Sequence, residues 1–112
     1  MNGSAAYAEA HAALYGNPRG YIPANFRERI AERAQSYYHA HVKKLGHPNS
    51  DGWAPAQCLF HDDAHASASV NLNTGAFRCH GCGEHGDLVA VHMKLTGLEF
   101  KPAVRDLLGL PT

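Results

Sequence analysis

Apolar positions in this chain keep two rhythms, and the switch between them divides it. Ile22, Phe26, Ile30, Ala34, Tyr37 or Tyr38, Val42 and Leu45 recur at steps of three and four residues. Such a stripe runs along one face of a helix and predicts a single long helix over residues 24–45. Pro23 suits a helix start, Ala24 or Asn25 lies near the cap, and Gly46 suits the position just past a helix end. Arg27, Glu28, Arg29, Glu32 and Arg33 would lace the outer face with charge. After a loop over 47–52 the pattern shortens. Trp53 to Gln57, Ala66 to Leu72 and Ala76 to Cys79 read as strands, with Asn73-Thr74-Gly75 as a hairpin turn. The helical rhythm returns at Asp87, an N-cap residue, for a helix over 87–96. Leu88, Val91, His92 and Leu95 form its expected inner face, and Gly97 ends it. A last helix over 101–108 has Pro102 in its first turn and brings Leu107 and Leu108 to the core.

Residues 1–20 stand apart. Ser4 would cap a short alanine-rich helix running to Leu14, stopped by Gly16-Asn17-Pro18. This segment is expected to be a partly ordered arm or a docking helix for a partner. Residues 21–112 form the domain proper.

Composition narrows the class. The chain has 112 residues and a formal net charge of zero, enough for one small domain with a modest core. The charge is unevenly spread. Residues 1–50 carry six Lys and Arg against three acids, and residues 51–112 carry four against seven. A strongly basic nucleic-acid binder would look different, so any nucleic-acid contact is expected to be a local patch. No apolar run has the length of a membrane span, and the start lacks a secretory signal pattern. Three cysteines at ligand-like spacing fit a reducing compartment with metal rather than disulfides. The cytoplasm is the expected location.

All three cysteines fall in one window. It reads Cys58-Leu59-Phe60-His61, then seventeen residues, then Cys79-His80-Gly81-Cys82. Two ligand pairs, each with a two-residue gap, flank a hairpin, which is the layout of a zinc ribbon over residues 53–83. Cys58, His61, Cys79 and Cys82 are the candidate ligands of one structural Zn²⁺. His65, His80 and His85 also lie nearby. His61 is favoured because it makes the first pair mirror the second. Four protein ligands close the coordination shell, so the site holds the fold and leaves no position for hydrolysis. Asp62 and Asp63 would orient ligands or solvate the site. A redox role for Cys79 and Cys82 lacks the βαβ surroundings it needs. The expected fold class is α+β: a small zinc ribbon, an antiparallel hairpin sheet, packed with flanking helices.

Cys58-Leu-Phe-His61-Asp-Asp, Phe77-Arg-Cys79-His-Gly-Cys82-Gly83, Gly86-Asp87-Leu88-Val89 and residues 93–100 resemble the N-terminal zinc-binding domain of bacterial and phage DNA primases. Ile22-Pro-Ala-Asn-Phe26 and Val42-Lys-Lys-Leu-Gly46 are similar to that domain's opening. The resemblance covers about residues 21–109. It implies a zinc ribbon that engages single-stranded DNA template and helps select where primers start. Polymerisation would belong to a separate toprim-fold catalytic domain or subunit, and a replicative helicase is a further possible partner. The chain has no catalytic centre of its own in this reading. Three positions depart from the family pattern: Leu59 replaces a usual proline, Ala64 a basic residue and Ala68 an aromatic.

Single strands are held by aromatic stacking and by cations that track phosphates. Arg78, Lys43, Lys44, His80, Trp53 and Phe77 are the candidate contacts. Alternation puts Phe77 and Arg78 on opposite faces of a strand, so they cannot both line one surface. A zinc-stabilised protein-interaction module is the rival reading.

Overall fold

The structure is a computed structural model and describes residues 21–62 and 64–111. The arm over residues 1–20, with its expected helix, lies outside the described residues, as does Asp63. Among the described residues the order is helix α1 (Phe26–Ala31), helix α2 (Ala34–His41), strands β1 (Trp53–Ala56), β2 (Ala68–Asn71), β3 (Phe77–Cys79) and β4 (His85–Gly86), helix α3 (Leu88–Thr96) and helix α4 (Phe100–Leu107). The four strands form one antiparallel meander in chain order. This is the α+β ribbon with flanking helices that the pattern implied.

The single helix expected over 24–45 is two helices. The N–H of Arg33 bonds to Ile30, three residues back, at 2.9 Å, which tightens the turn and redirects the chain. The second helix stops at His41, and Val42 is already extended. The cause is tertiary. The Lys43 carbonyl accepts from the Gln57 N–H at 2.9 Å, and the Gly46 N–H donates to the Pro55 carbonyl at 2.8 Å. Residues 43–46 thus cover the outer edge of β1, and an uncovered strand edge is a liability. Gly46 is part of this pairing and caps no helix. Val42 and Leu45 still pack on the core, so they kept the helical rhythm without the helix.

The register sorts side chains between two faces of the sheet. Ala54 and Ala56 of β1, Ala68 and Val70 of β2, and Phe77 and Cys79 of β3 are buried against the helices. Tyr38 is fully buried beneath the β2–β3 turn, and its hydroxyl donates to the Gly75 carbonyl at 2.6 Å. Gly75 has φ +91°, and a Cβ there would lie 2.8 Å from Leu88, so only glycine fits this close approach. Asn71, also buried, accepts the N–H groups of Asn73 and Thr74 through Oδ1 and donates to the Asp51 carbonyl. One side chain therefore shapes the turn and fastens the loop before β1.

Helix α3 begins as its sequence dictates, with Asp87 Oδ1 accepting the Ala90 N–H at 2.8 Å, and ends on left-handed Gly97. Its inner face differs by one residue from the expected one. Val89 is buried and Leu95 is 39% exposed. Arg105 of α4 is buried, and its guanidinium donates to the carbonyls of Tyr21 and Pro111. It ties the beginning and end of the domain together.

Candidate metal centre and nucleic-acid face

The two knuckles meet at one end of the sheet. Cys58 follows β1, Cys79 ends β3, and each is followed by a tight turn carrying the second member of its pair. The ligand atoms of Cys58, His61, Cys79 and Cys82 all lie within 4.8 Å of one another. Cys58 Sγ is 3.8 Å from Cys82 Sγ, and His61 Nε2 is 3.3 Å from Cys79 Sγ. Sulfurs bonded tetrahedrally to Zn²⁺ at about 2.3 Å stand roughly 3.8 Å apart, so three thiols and one imidazole fit this ion. His61 Nδ1 donates to the Asp62 carbonyl at 3.0 Å, which leaves Nε2 as the lone-pair nitrogen aimed at the sulfurs. Of the histidines near the window, only His61 joins this group among the described residues. His65, His80 and His85 are exposed.

The surroundings prepare Cys79 to be a thiolate. Burial raises the Cys79 thiol, but bonds from the Cys82 N–H, the Ser67 hydroxyl, His61 and the Gly81 N–H outweigh it and bring it down to about 6. Cys58 is different. Its burial pushes the thiol up to about 12, against the one helping bond from the Phe60 N–H. A divalent cation reverses that balance, because a coordinated thiol is deprotonated outright. Cys79 is therefore the ready ligand, and Cys58 ionises with the metal. Gly81 supplies room as well as a donor: a Cβ there would stand 3.2 Å from both His61 Nε2 and Ser67 Oγ.

The first knuckle is locked to the core by Phe60. Its ring meets Phe77 edge to face at 5.2 Å, and Lys94 Nζ of α3 lies 4.9 Å from its centre while pairing with Glu84. The metal site and the hydrophobic core are thus mechanically continuous.

The six candidate DNA contacts divide. Phe77 is 2% exposed and faces inward, so its ring has no surface to offer a base and it leaves the set. Arg78 points to the open face, and its guanidinium lies 5.4 Å from the centre of the half-exposed Trp53 ring. Cross-strand pairing sets Pro55, Ser69, Arg78 and His85 in one row across that face. His80 is exposed in the second knuckle. Lys43 lines a cavity of about 260 Å³ beside Cys58, with His41, Gln57, His61 and Asp62. Lys44 reaches the knuckle loop, where its Nζ donates to the Ala64 carbonyl at 3.3 Å.

Two departures from the primase pattern take on a different weight. Ala68 is 2% exposed on the core face, so an aromatic there would fill the interior and could not stack on a base. At position 64 the side chain is small, but the Lys44 ammonium is delivered to that place from another segment.

One polar constellation had no local signal. The Tyr37 hydroxyl is 2.9 Å from His92 Nδ1, and His92 Nε2 is 2.6 Å from Asp106 Oδ2. His41 stacks on Tyr37 with ring centres 4.1 Å apart. Burial, with the Asp106 charge adding, holds the Tyr37 hydroxyl up at about 12. The three residues sit on α2, α3 and α4 and satisfy one another within the helical layer. Phe60 and Asn71 were missed for the same reason: their partners are distant in sequence.

The chain is similar in sequence to known proteins. Over 49 residues the chain is 45% identical to the DNA primase of Chlamydia trachomatis, covering 44% of this chain and 8% of that protein. It is 42% identical over 52 residues to the DNA primase of Streptomyces coelicolor, covering 46% and 8%. It is 34% identical over 55 residues to that of Pasteurella multocida, covering 49% and 10%. The chain thus matches only a small part of each relative's length. The family described as the CHC2 zinc finger matches residues 26–110, which take in both knuckles and every described element. With a Cys-His-Cys-Cys donor set built for one structural Zn²⁺, the chain belongs to the CHC2 zinc finger family.

Proposed function

We propose that this chain is a primase-type zinc-ribbon module that binds single-stranded DNA template in primer initiation. In this reading Cys58, His61, Cys79 and Cys82 hold the ion, and the ion holds the ribbon. A catalytic toprim domain or subunit carries out polymerisation, and a replicative helicase is the further partner. The setting is the cytoplasm, where thiols stay reduced. No helix among the described residues is long and apolar enough to cross a membrane.

The observation that carries the reading is Arg78 over Trp53 on the open face of the sheet. An aromatic ring beside a guanidinium matches what a single strand needs, a stacking surface and a phosphate partner. Lys44 at the knuckle loop, Lys43 beside the first knuckle and the exposed His80 give further cationic or polar contacts at the metal end of the sheet. The zero net charge suits modest, salt-sensitive affinity that a partner domain would reinforce.

Trp53 is the only tryptophan, so its emission reports binding directly. Single-stranded oligonucleotides should quench it and raise their own fluorescence anisotropy at low salt. Arg78→Ala should weaken binding and make the salt dependence shallower by about 0.7 in the log–log slope, one phosphate's worth, with zinc content unchanged. Unchanged affinity across the salt series would remove Arg78 from the site. No binding at low salt by the native chain would favour the interaction module instead.

A further inference from the structure

The cavity beside the first knuckle has chemistry that the metal does not use. Its volume is about 260 Å³, and it lies between the chain leaving α2, which supplies His41 and Lys43, and the first knuckle, which supplies Leu59 and Asp62. Lys43 and Asp62 carry opposite charges on one cavity wall and the other, and they do not pair. Among the described residues neither side chain has a hydrogen bond or an ion pair. His41 is exposed, yet its ring is held twice. It stacks on Tyr37 with centroids 4.1 Å apart, and its Nδ1 donates to the Tyr37 carbonyl at 2.8 Å. The ring face turned away from Tyr37 is therefore presented in a fixed orientation.

A cavity of this size falls below the roughly 300 Å³ at which drug-sized pockets begin and suits one flat ring system. Its walls offer an aromatic face, an aliphatic side chain, one cationic donor and one anionic acceptor. That set matches a nucleobase, which has apolar faces and an edge carrying both donors and acceptors. A phosphate alone would be repelled by Asp62. Among the bases guanine answers a carboxylate best. Its N1–H and N2–H₂ are adjacent donors that engage both carboxylate oxygens in a charge-assisted pair, while its O6 and N7 accept from a lysine. Cytosine and adenine present a single amino group, and thymine a single imide N–H. We propose that this cavity takes one guanine unstacked from the bound strand, with Asp62 on N1 and N2, Lys43 on O6 and N7, and His41 against its face. Bases splayed out of a single strand are read in this way, by stacking on a side-chain ring and by bonds to their edges. The inference rests on the single-strand reading above. It adds a base preference that Arg78 and Trp53 do not supply, since a phosphate contact and a stacking ring accept any base. Cys58, which lines the cavity, is three residues on from Pro55 of the open-face row, a span of at most about 11 Å, so one strand can reach both places.

The test compares short deoxythymidine strands that differ only in one central base, by fluorescence anisotropy on the full, zinc-loaded chain at low salt. Central guanine should bind about five- to a hundredfold more tightly than central thymine, cytosine or adenine. Hypoxanthine, which lacks the N2 amino group, should lose most of that gain, and 7-deazaguanine, which lacks N7, a smaller part of it. Asp62→Asn should remove the guanine preference without weakening the all-thymine strand or lowering zinc content. Lys43→Met should erase the difference between guanine and 7-deazaguanine. An all-thymine strand that binds through Arg78 and gains nothing from a central guanine would overturn the cavity's role alone. So would a guanine preference that Asp62→Asn leaves intact. A chain that binds none of these strands at low salt would overturn the single-strand reading and this inference with it.

Discussion

Phe77 and Arg78 are neighbours in sequence with opposite fates. Phe77 goes to the core face of the sheet and is sealed between the first knuckle and the helices, while Arg78 goes to the open face and leans over Trp53. Half of the core face is alanine: Ala54, Ala56 and Ala68 share it with Val70, Phe77 and Cys79. Small residues let the helices approach closely, but they bury little apolar area. The open face needs no such closeness and keeps charge and ring available. The difference shows what the metal is for. A sheet with so light a core face depends on the knuckles for its shape, and that dependence frees the other face for binding.

Removing the metal should therefore have the largest effect, and it should erase both faces together. Structural zinc contributes on the order of 10–16 kcal/mol in small metal-folded domains, more than a domain of this size has to spare. Chelation, or Cys79→Ser, should abolish cooperative unfolding in urea, and Trp53 emission should shift to that of a solvated indole. An apo protein that kept the Trp53–Arg78 packing would break the argument that the ion supports the open face. Next in size comes Phe77→Ala, which deletes the one large ring of the core face. It should cost about 3–5 kcal/mol, measured by urea denaturation at saturating zinc. At concentrations where the variant is folded, its DNA affinity should equal that of the native chain. A selective loss of DNA binding in a still-stable variant would return Phe77 to the binding surface.

What could be read from sequence follows from how local each determinant is. The knuckle spacing, the Asp87 cap and the Gly97 stop are encoded within a few residues, and they were legible. The fate of Phe77 against Arg78 was half legible, since alternation separates them but does not say which faces inward. The break at residues 32–33 and the early end of α2 were not legible. Val42 and Leu45 fit the helical stripe, and only pairing of residues 43–46 with β1 explains why the helix stops before them. The Trp53–Arg78 contact needs the register of three strands. Tyr37, His92 and Asp106 meet only when three helices pack. The buried Arg29 Nη1, without a hydrogen-bond partner among the described residues, is likewise a product of packing that no spacing encodes.

The helical layer behind the core face offers a third, smaller test. Tyr37 is held up at about 12 from an ordinary value of 10, chiefly by burial and then by Asp106. Burial likewise raises Tyr38, with Tyr37 and Asp87 adding. A raised value means folding favours the neutral phenol. The stability it brings is complete below pH 10 and is lost as pH climbs from 10 toward 12. Melting temperature should fall across that window. Tyr37→Phe should flatten the fall while costing about 1–2 kcal/mol at neutral pH, because His92 Nδ1 loses its donor. DNA affinity should not change. A variant with the native alkaline profile would remove Tyr37 from the titration.

The smallest effect should also be the most telling, because it has opposite signs in the two assays. Lys44 is the one described non-glycine residue with positive φ, at 55°, a conformation that costs a side-chain-bearing residue about 1 kcal/mol. It holds that pose while its ammonium sits on the Ala64 carbonyl beside the knuckle. Strain kept where a charge is delivered suggests that placing the charge is what the pose serves. Lys44→Gly should relieve the strain and raise stability by about 0.5–1 kcal/mol, less what glycine gives back through a looser unfolded chain. The same substitution should weaken single-strand binding and make the salt slope shallower by about 0.7. Lys44→Arg, which keeps the charge and the strain, should leave both readouts near native. If Lys44→Gly lowers stability and binding together, the lysine is a structural strut. If it raises stability and leaves binding untouched, the DNA surface ends at Arg78 and Trp53, and the strained lysine has no part in it.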